Sequence, residues 1–107
     1  MTIEILGLRT CDTCRKALKA LPGAILRDVR ADPLSAAEIA ELLAAFPESL
    51  VNKASTTWRG LSETERQQNP ADLLAAHPSL MKRPVIRSGE SVYLGWTPTI
   101  RDVLGAA

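Results

Sequence analysis

The chain has 107 residues, 46% of them apolar, and carries a net charge of +1 from intermixed basic and acidic side chains. That much apolar material in one domain's length excludes a disordered polypeptide. The mixed charges, the lack of a membrane-length apolar run and the lack of a charged-then-apolar leader give no footprint for nucleic acid, a membrane or secretion. A cytoplasmic, reducing setting is the expectation, with no nucleic acid and no membrane as partner.

Residues 2–6 alternate and are rich in β-branched and aliphatic side chains, which predicts a short strand. Gly7 to Thr10 breaks it, and a helix should start at or just after Cys11. Ala17, Leu18 and Leu21 give that helix an apolar face, and Pro22-Gly23 ends it. Residues 24–29, "AILRDV", read as a second strand. Ser35 with Glu38 is a capping box, and Ile39, Leu42, Leu43 and Phe46 repeat at helical spacing, so 36–45 is a helix. From 48 to 79 the chain reads as short helical pieces. Leu50, Val51 and Ala54 suggest one turn or two, Ser62 with Glu65 is a second capping box, and Asn69-Pro70 caps "ADLLAAHP". "RPVIR" and "SVYLGW" are strand-like runs joined by Ser88-Gly89-Glu90, a hairpin signal, with Pro84 opening the first where a missing N–H is tolerable. Thr97-Pro98 opens a last helix through Leu104, with Gly105 as its stop.

The order is β-α-β-α, a helical insert at about 35–79, then β-β-α, in a single domain spanning 1–107. The first strand–helix–strand unit predicts a parallel pair and the hairpin an antiparallel one. A mixed β-sheet with flanking helices is an α/β, thioredoxin-like arrangement, though other small α/β folds share this order of elements.

Both cysteines lie in "RTCDTCRKA", as Cys11 and Cys14. A thiolate is the nucleophile, and a free thiol, with a pKa of about 8.5, is only a few per cent ionised at neutral pH. At a helix N-terminus, unpaired N–H groups and the dipole favour the anion, so Cys11 should have a depressed pKa. Arg9, Arg15 and Lys16 add attraction, and Asp12 opposes it. Cys14 lies one turn along the same face, within reach of Cys11, more buried and nearer its free pKa. Cys11 would attack and Cys14 would resolve the adduct as a disulfide.

Three other readings fit the pair. A structural zinc needs four ligands, whereas the chain offers two Cys and one histidine, His77. A staple closing so small a ring contributes at most ~2 kcal/mol and opens in a reducing compartment. Two inert core thiols are the third, since free Cys is a common buried residue. His77, before Pro78 at a helix end, reads as a C-terminal histidine interacting with the dipole.

Over nearly its whole length the chain resembles the arsenate reductase, Spx and YffB-like group of thioredoxin-fold proteins. The resemblance rests on "CDTCRKAL", "DVRADPLSAAEIAELL", "LVNKASTTWRGL", "HPSLMKRPVI" and "YLGWTPTI", and "TTWRGL" looks most like the YffB-like branch. It implies a nucleophilic Cys11, a cis Pro84 packed against it, and an anion-holding Arg83 beside it, against the plainer reading of Arg83 as a solvated surface arginine. Thr10 and the first N–H groups of the helix would stabilise negative charge at Cys11. Family arsenate reductases form a covalent cysteine adduct and pass the oxidising equivalent to glutathione and glutaredoxin. They hold the oxyanion with three arginines. Only Arg83 falls on such a position here; Asn52 follows "LV", and Trp96-Thr97 lies near the last helix. Losing two forked donors at ~1.5–3 kcal/mol per charged hydrogen bond argues against strong arsenate reduction. Arg59, Arg9 and Arg15 are the other candidate cations.

The expected function is therefore a small thiol oxidoreductase. It would hold no metal and no organic cofactor, act on a small anionic or disulfide substrate, and use glutathione, thioredoxin or glutaredoxin as reductant. Spx-type members also carry C-x-x-C here and use it as a redox switch while binding RNA polymerase. That is the alternative from another class.

Overall fold

The computed structural model describes residues 2–105. Its elements are β1 (Ile3–Gly7), α1 (Asp12–Ala20), β2 (Ile25–Asp28), α2 (Ala36–Ala45), α3 (Thr56–Arg59), α4 (Glu63–Arg66), α5 (Pro70–Ala76), a 3-10 turn (Pro78–Leu80), β3 (Val85–Ser88), β4 (Ser91–Leu94) and α6 (Pro98–Val103). They divide into two compact units. One holds the chain up to Val29 and again from Arg83; the other is Arg30–Lys82.

The first unit is built on a four-stranded sheet in the order β2-β1-β3-β4. β1 runs parallel to β2 and antiparallel to β3, and β3 antiparallel to β4. Both pairings follow from the connections: a helix crosses between β1 and β2, and a two-residue loop joins β3 to β4 with Ser88 opposite Ser91. Gly89 supplies the positive φ of 61° that this loop requires. β1 alternates, so Ile3, Ile5 and Gly7 share one face. There Ile5 joins Ala17 and Leu21 of the α1 segment and Ile86 of β3 in a buried cluster, with Trp96, Ile100 and Leu104 packed against it. Across the two central strands Glu4 of β1 and Arg87 of β3 sit opposite one another and approach to 3.7 Å.

The second unit is helical. α2 opens on the full capping box, with Ser35 Oγ accepting from the N–H of Glu38 at 3.1 Å and Glu38 Oε1 accepting from the N–H of Ser35 at 2.9 Å. α4 repeats the device with Ser62 and Glu65. Ile39, Leu42, Leu50, Leu61, Leu73, Leu74, Leu80 and Met81 are its buried apolar residues.

One expected turn of helix is absent. Around Leu50–Ala54 the chain is extended enough for Val51 to bridge Met81 in antiparallel fashion. Asn52 then turns it: its Oδ1 accepts from the N–H of Ala54 at 3.0 Å, and its carbonyl accepts from Ser55 Oγ at 2.7 Å. An Asn side chain that satisfies the backbone in this way competes with helix hydrogen bonding, and here it wins. The last strand also ends early, at Leu94, because Gly95 takes a φ of 91° while its N–H donates to the carbonyl of Pro84 at 2.8 Å.

Candidate functional site

Cys11 is the N-cap of α1, with φ −84° and ψ 119°, so the chain is extended up to its sulfur and helical after it. Its own N–H donates to the carbonyl of Leu8 at 3.0 Å, closing the turn that follows β1. That turn is anchored on both sides. The N–H of Arg9 donates to Asp28 Oδ2 at the end of β2 at 3.0 Å, and Arg15 Nε donates to the carbonyl of Arg9 at 2.8 Å.

Cys11 is half-buried at this N-cap position. Burial alone would push its thiol up. The N–H of Cys14, the Cys14 thiol, the Arg83 guanidinium and the N–H of Thr13 outweigh that, and the pKa falls below the ordinary cysteine value. Each of these is a donor or positive charge stabilising the anion, which is the sense expected at a helix N-terminus.

Cys14 behaves in the opposite way. It is fully buried, and burial is the main reason its thiol is pushed up to about 11. The backbone of Leu8 pulls it down, whereas its hydrogen bond to Cys11 and the charge there push it up further. The two thiols of the pair are therefore shifted in opposite directions, Cys11 down and Cys14 up. Among the described residues no group of three or more His, Cys, Asp or Glu comes together as metal ligands.

Arg83 reaches this site from the other end of the chain, through the pairing of β1 with β3. Its guanidinium hydrogen-bonds the Cys11 sulfur. The Arg83–Pro84 peptide is cis and Pro84 is buried. The sequence candidates thus separate. Cys11, Cys14 and Arg83 converge, with Pro84 next in the chain. Thr10 and Arg9 are exposed in the turn, where Arg9 acts through its backbone, and Arg15 braces that turn from α1. Arg59 belongs to the helical unit, where its Nη2 donates to the carbonyl of Ala54 at 3.1 Å. Two contributors were not singled out from sequence: Asp28, which holds the turn, and Gly7, whose α-carbon faces Cys14. A glycine ending a strand just before C-x-x-C is the signal for the second.

The family profile that matches is that of the ArsC family, and it covers residues 6–100. The chain belongs to the ArsC family. An uncharacterized protein of Haemophilus influenzae is 35% identical over 103 residues, spanning 88% of this chain and 90% of that one. Among solved structures, a YffB protein superposes with a TM-score of 0.87 at 25% identity, covering 95% of this chain and 97% of that one. An arsenate reductase (ArsC) related protein from Brucella melitensis gives 0.75 at 30% identity, over 96% and 93%. The mixed sheet with flanking helices is the thioredoxin-like fold of these ArsC-family structures. In this ArsC-family chain the two further places at which the resemblance implies arginines fall at Asn52 and at about Trp96-Thr97. Asn52 holds the turn described above, and Thr97 Oγ1 caps α6 by accepting from the N–H of Ile100 at 3.2 Å.

Proposed function

We propose that the protein is a cytoplasmic thiol oxidoreductase that reduces small disulfides, with Cys11 as nucleophile, Cys14 as resolving thiol and glutathione or a thioredoxin-type dithiol as reductant. The observation that carries this reading is the split within the pair: Cys11 is lowered and meets Arg83, while Cys14 is raised beneath it.

The reaction follows from that split. The Cys11 thiolate attacks one sulfur of the substrate disulfide; that bond breaks, a Cys11 mixed disulfide forms, and the other half leaves as a thiolate that takes a proton from water. At neutral pH almost none of Cys14 is ionised, so its attack needs a change. Adduct formation supplies one, because a Cys11 sulfur tied up in a disulfide no longer carries the charge or accepts the hydrogen bond that raise Cys14. Cys14 then attacks Cys11 Sγ as its proton passes, directly or through water, to the departing substrate sulfur, and the second substrate half leaves as a thiol with a Cys11–Cys14 disulfide behind it. Two glutathione thiols, or one dithiol, return it to the reduced state and are themselves oxidised to a disulfide. Arg83 holds an anionic group of the substrate, such as a carboxylate of a glutathionyl moiety, in a forked geometry, and Thr10 and Pro84 border it. Arsenate is the poorer substrate, because one arginine replaces three and each missing charged hydrogen bond costs ~1.5–3 kcal/mol.

The test is turnover of the mixed disulfide of glutathione and 2-mercaptoethanol with glutathione as reductant, and of arsenate in a parallel arm. Cys11→Ser should abolish turnover, and Cys14→Ser should accumulate a Cys11–glutathione adduct visible by mass. Equal turnover with Cys11→Ser, or a Cys11 that titrates like a free thiol, would remove the proposal.

A further inference from the structure

Gly7 ends β1 on the face that α1 covers, the same face as Ile3 and Ile5. Along α1 and its C-cap, Cys14, Ala17 and Leu21 form one stripe, and Ala17 and Leu21 lie on Ile5. One step further along the strand, Cys14 meets Gly7. A Cβ placed on Gly7 would fall far inside the van der Waals contact distance of Cys14 Sγ and 3.3 Å from Cys14 Cβ. Gly7 has no positive φ, so its backbone does not require glycine. What requires it is the sulfur.

We infer that Gly7 is a positioning residue for the thiol pair: its missing side chain is the notch that seats Cys14 Sγ, and this seat aims the Cys14 S–H at Cys11. The inference rests on the reading of Cys11 as the working thiolate. A cysteine has one side-chain torsion, so its sulfur occupies one of three staggered positions, of which one is rare in helices. A methyl group at position 7 blocks the seat, and the sulfur must swing to another well, a jump of about 3 Å. That exceeds the tolerance of a hydrogen bond, so the contact between the two sulfurs breaks. The alternative, a helix moved off the strand, breaks it too, because Cys14 travels with α1 while the turn carrying Cys11 stays tied through Arg9 to Asp28.

The experiment follows the pH midpoint of Cys11 alkylation by iodoacetamide, read by mass, in wild type, Gly7→Ala, Cys14→Ala and the double variant. Losing one donor to a thiolate should raise the midpoint in Gly7→Ala by about one pH unit, a ten-fold change in the acid constant. Cys14→Ala should shift it similarly, and Gly7→Ala should add nothing in that background, because the methyl then occupies space the sulfur has vacated. If Gly7→Ala does not fold, the double variant should, and recovery of its thermal midpoint identifies the sulfur as the obstacle. A Gly7→Ala midpoint that coincides with a low wild-type one, an equal shift with and without Cys14, or a double variant that stays unfolded overturns the inference. An ordinary midpoint in wild type instead refutes the thiolate reading on which it rests, so the two failures are distinguishable.

Discussion

Arg83→Met keeps an apolar stem and deletes the guanidinium that hydrogen-bonds the Cys11 sulfur. A hydrogen bond to a charged group contributes ~1.5–3 kcal/mol, and at a half-buried sulfur the low end applies. At about 1.4 kcal/mol per unit, the Cys11 midpoint should rise by roughly one unit. A thiolate of higher pKa is also intrinsically more reactive, by about three-fold per unit at a Brønsted slope of 0.4–0.5. The two effects oppose below the midpoint and only the second survives above it. Alkylation of Cys11 by iodoacetamide should therefore be about three-fold slower than wild type at low pH and about three-fold faster at high pH, with crossing profiles. Profiles that superpose would show that Arg83 does not stabilise the thiolate. A variant slower by one constant factor at every pH would show that Arg83 controls access instead of charge.

Two further tests concern stability. The Cys14 thiol is raised to about 11 in the folded chain, so its contribution is fully present below the unfolded thiol pKa and is lost as pH climbs through the folded one. Wild type should therefore lose about 2 kcal/mol more than Cys14→Ala between roughly pH 8.5 and 11, measured by urea unfolding at each pH. Equal losses would mean that Cys14 is not protonated by burial. Ser35→Ala removes one half of the α2 capping box and should lower stability by about 1 kcal/mol with an unchanged urea m-value. A change of only a tenth or two would make the box decorative.

The parts of the fold that sequence disclosed are those whose signals are local. Ser35 and Glu38 bracket the first turn of α2, and the helix runs over the expected 36–45. Gly89 forces the hairpin, and Cys11 lies at the start of α1 as the break at Gly7–Thr10 required. The misreadings come from competition a linear pattern does not display. Leu50, Val51 and Ala54 have helical spacing, but Asn52 satisfies the backbone locally and Met81, far along the chain, pairs with Val51. The strand after Ser91 stops two residues early because Gly95 is drawn to the carbonyl of Pro84. At the site, the C-x-x-C spacing disclosed the two sulfurs, and family resemblance disclosed Arg83. Nothing in the spacing said that Asp28 would grip the turn or how closely Gly7 would lie beneath Cys14: the first contact depends on β2 pairing with β1, the second on how tightly α1 packs on β1. Arg59 shows the converse: a cation in a suggestive motif whose guanidinium is turned to carbonyls of its own helical unit.

The antiparallel alignment of β1 with β3, Leu6 opposite Val85, is what carries Arg83 to a cysteine encoded near the beginning of the chain. Synthesis therefore makes the sulfur long before it makes the cation that sharpens it. A chain still emerging from the ribosome has its C-x-x-C segment but no guanidinium beside it, and thus a duller thiol. Until β3 pairs with β1, Cys11 therefore lacks one of the groups that lower its pKa in the folded chain.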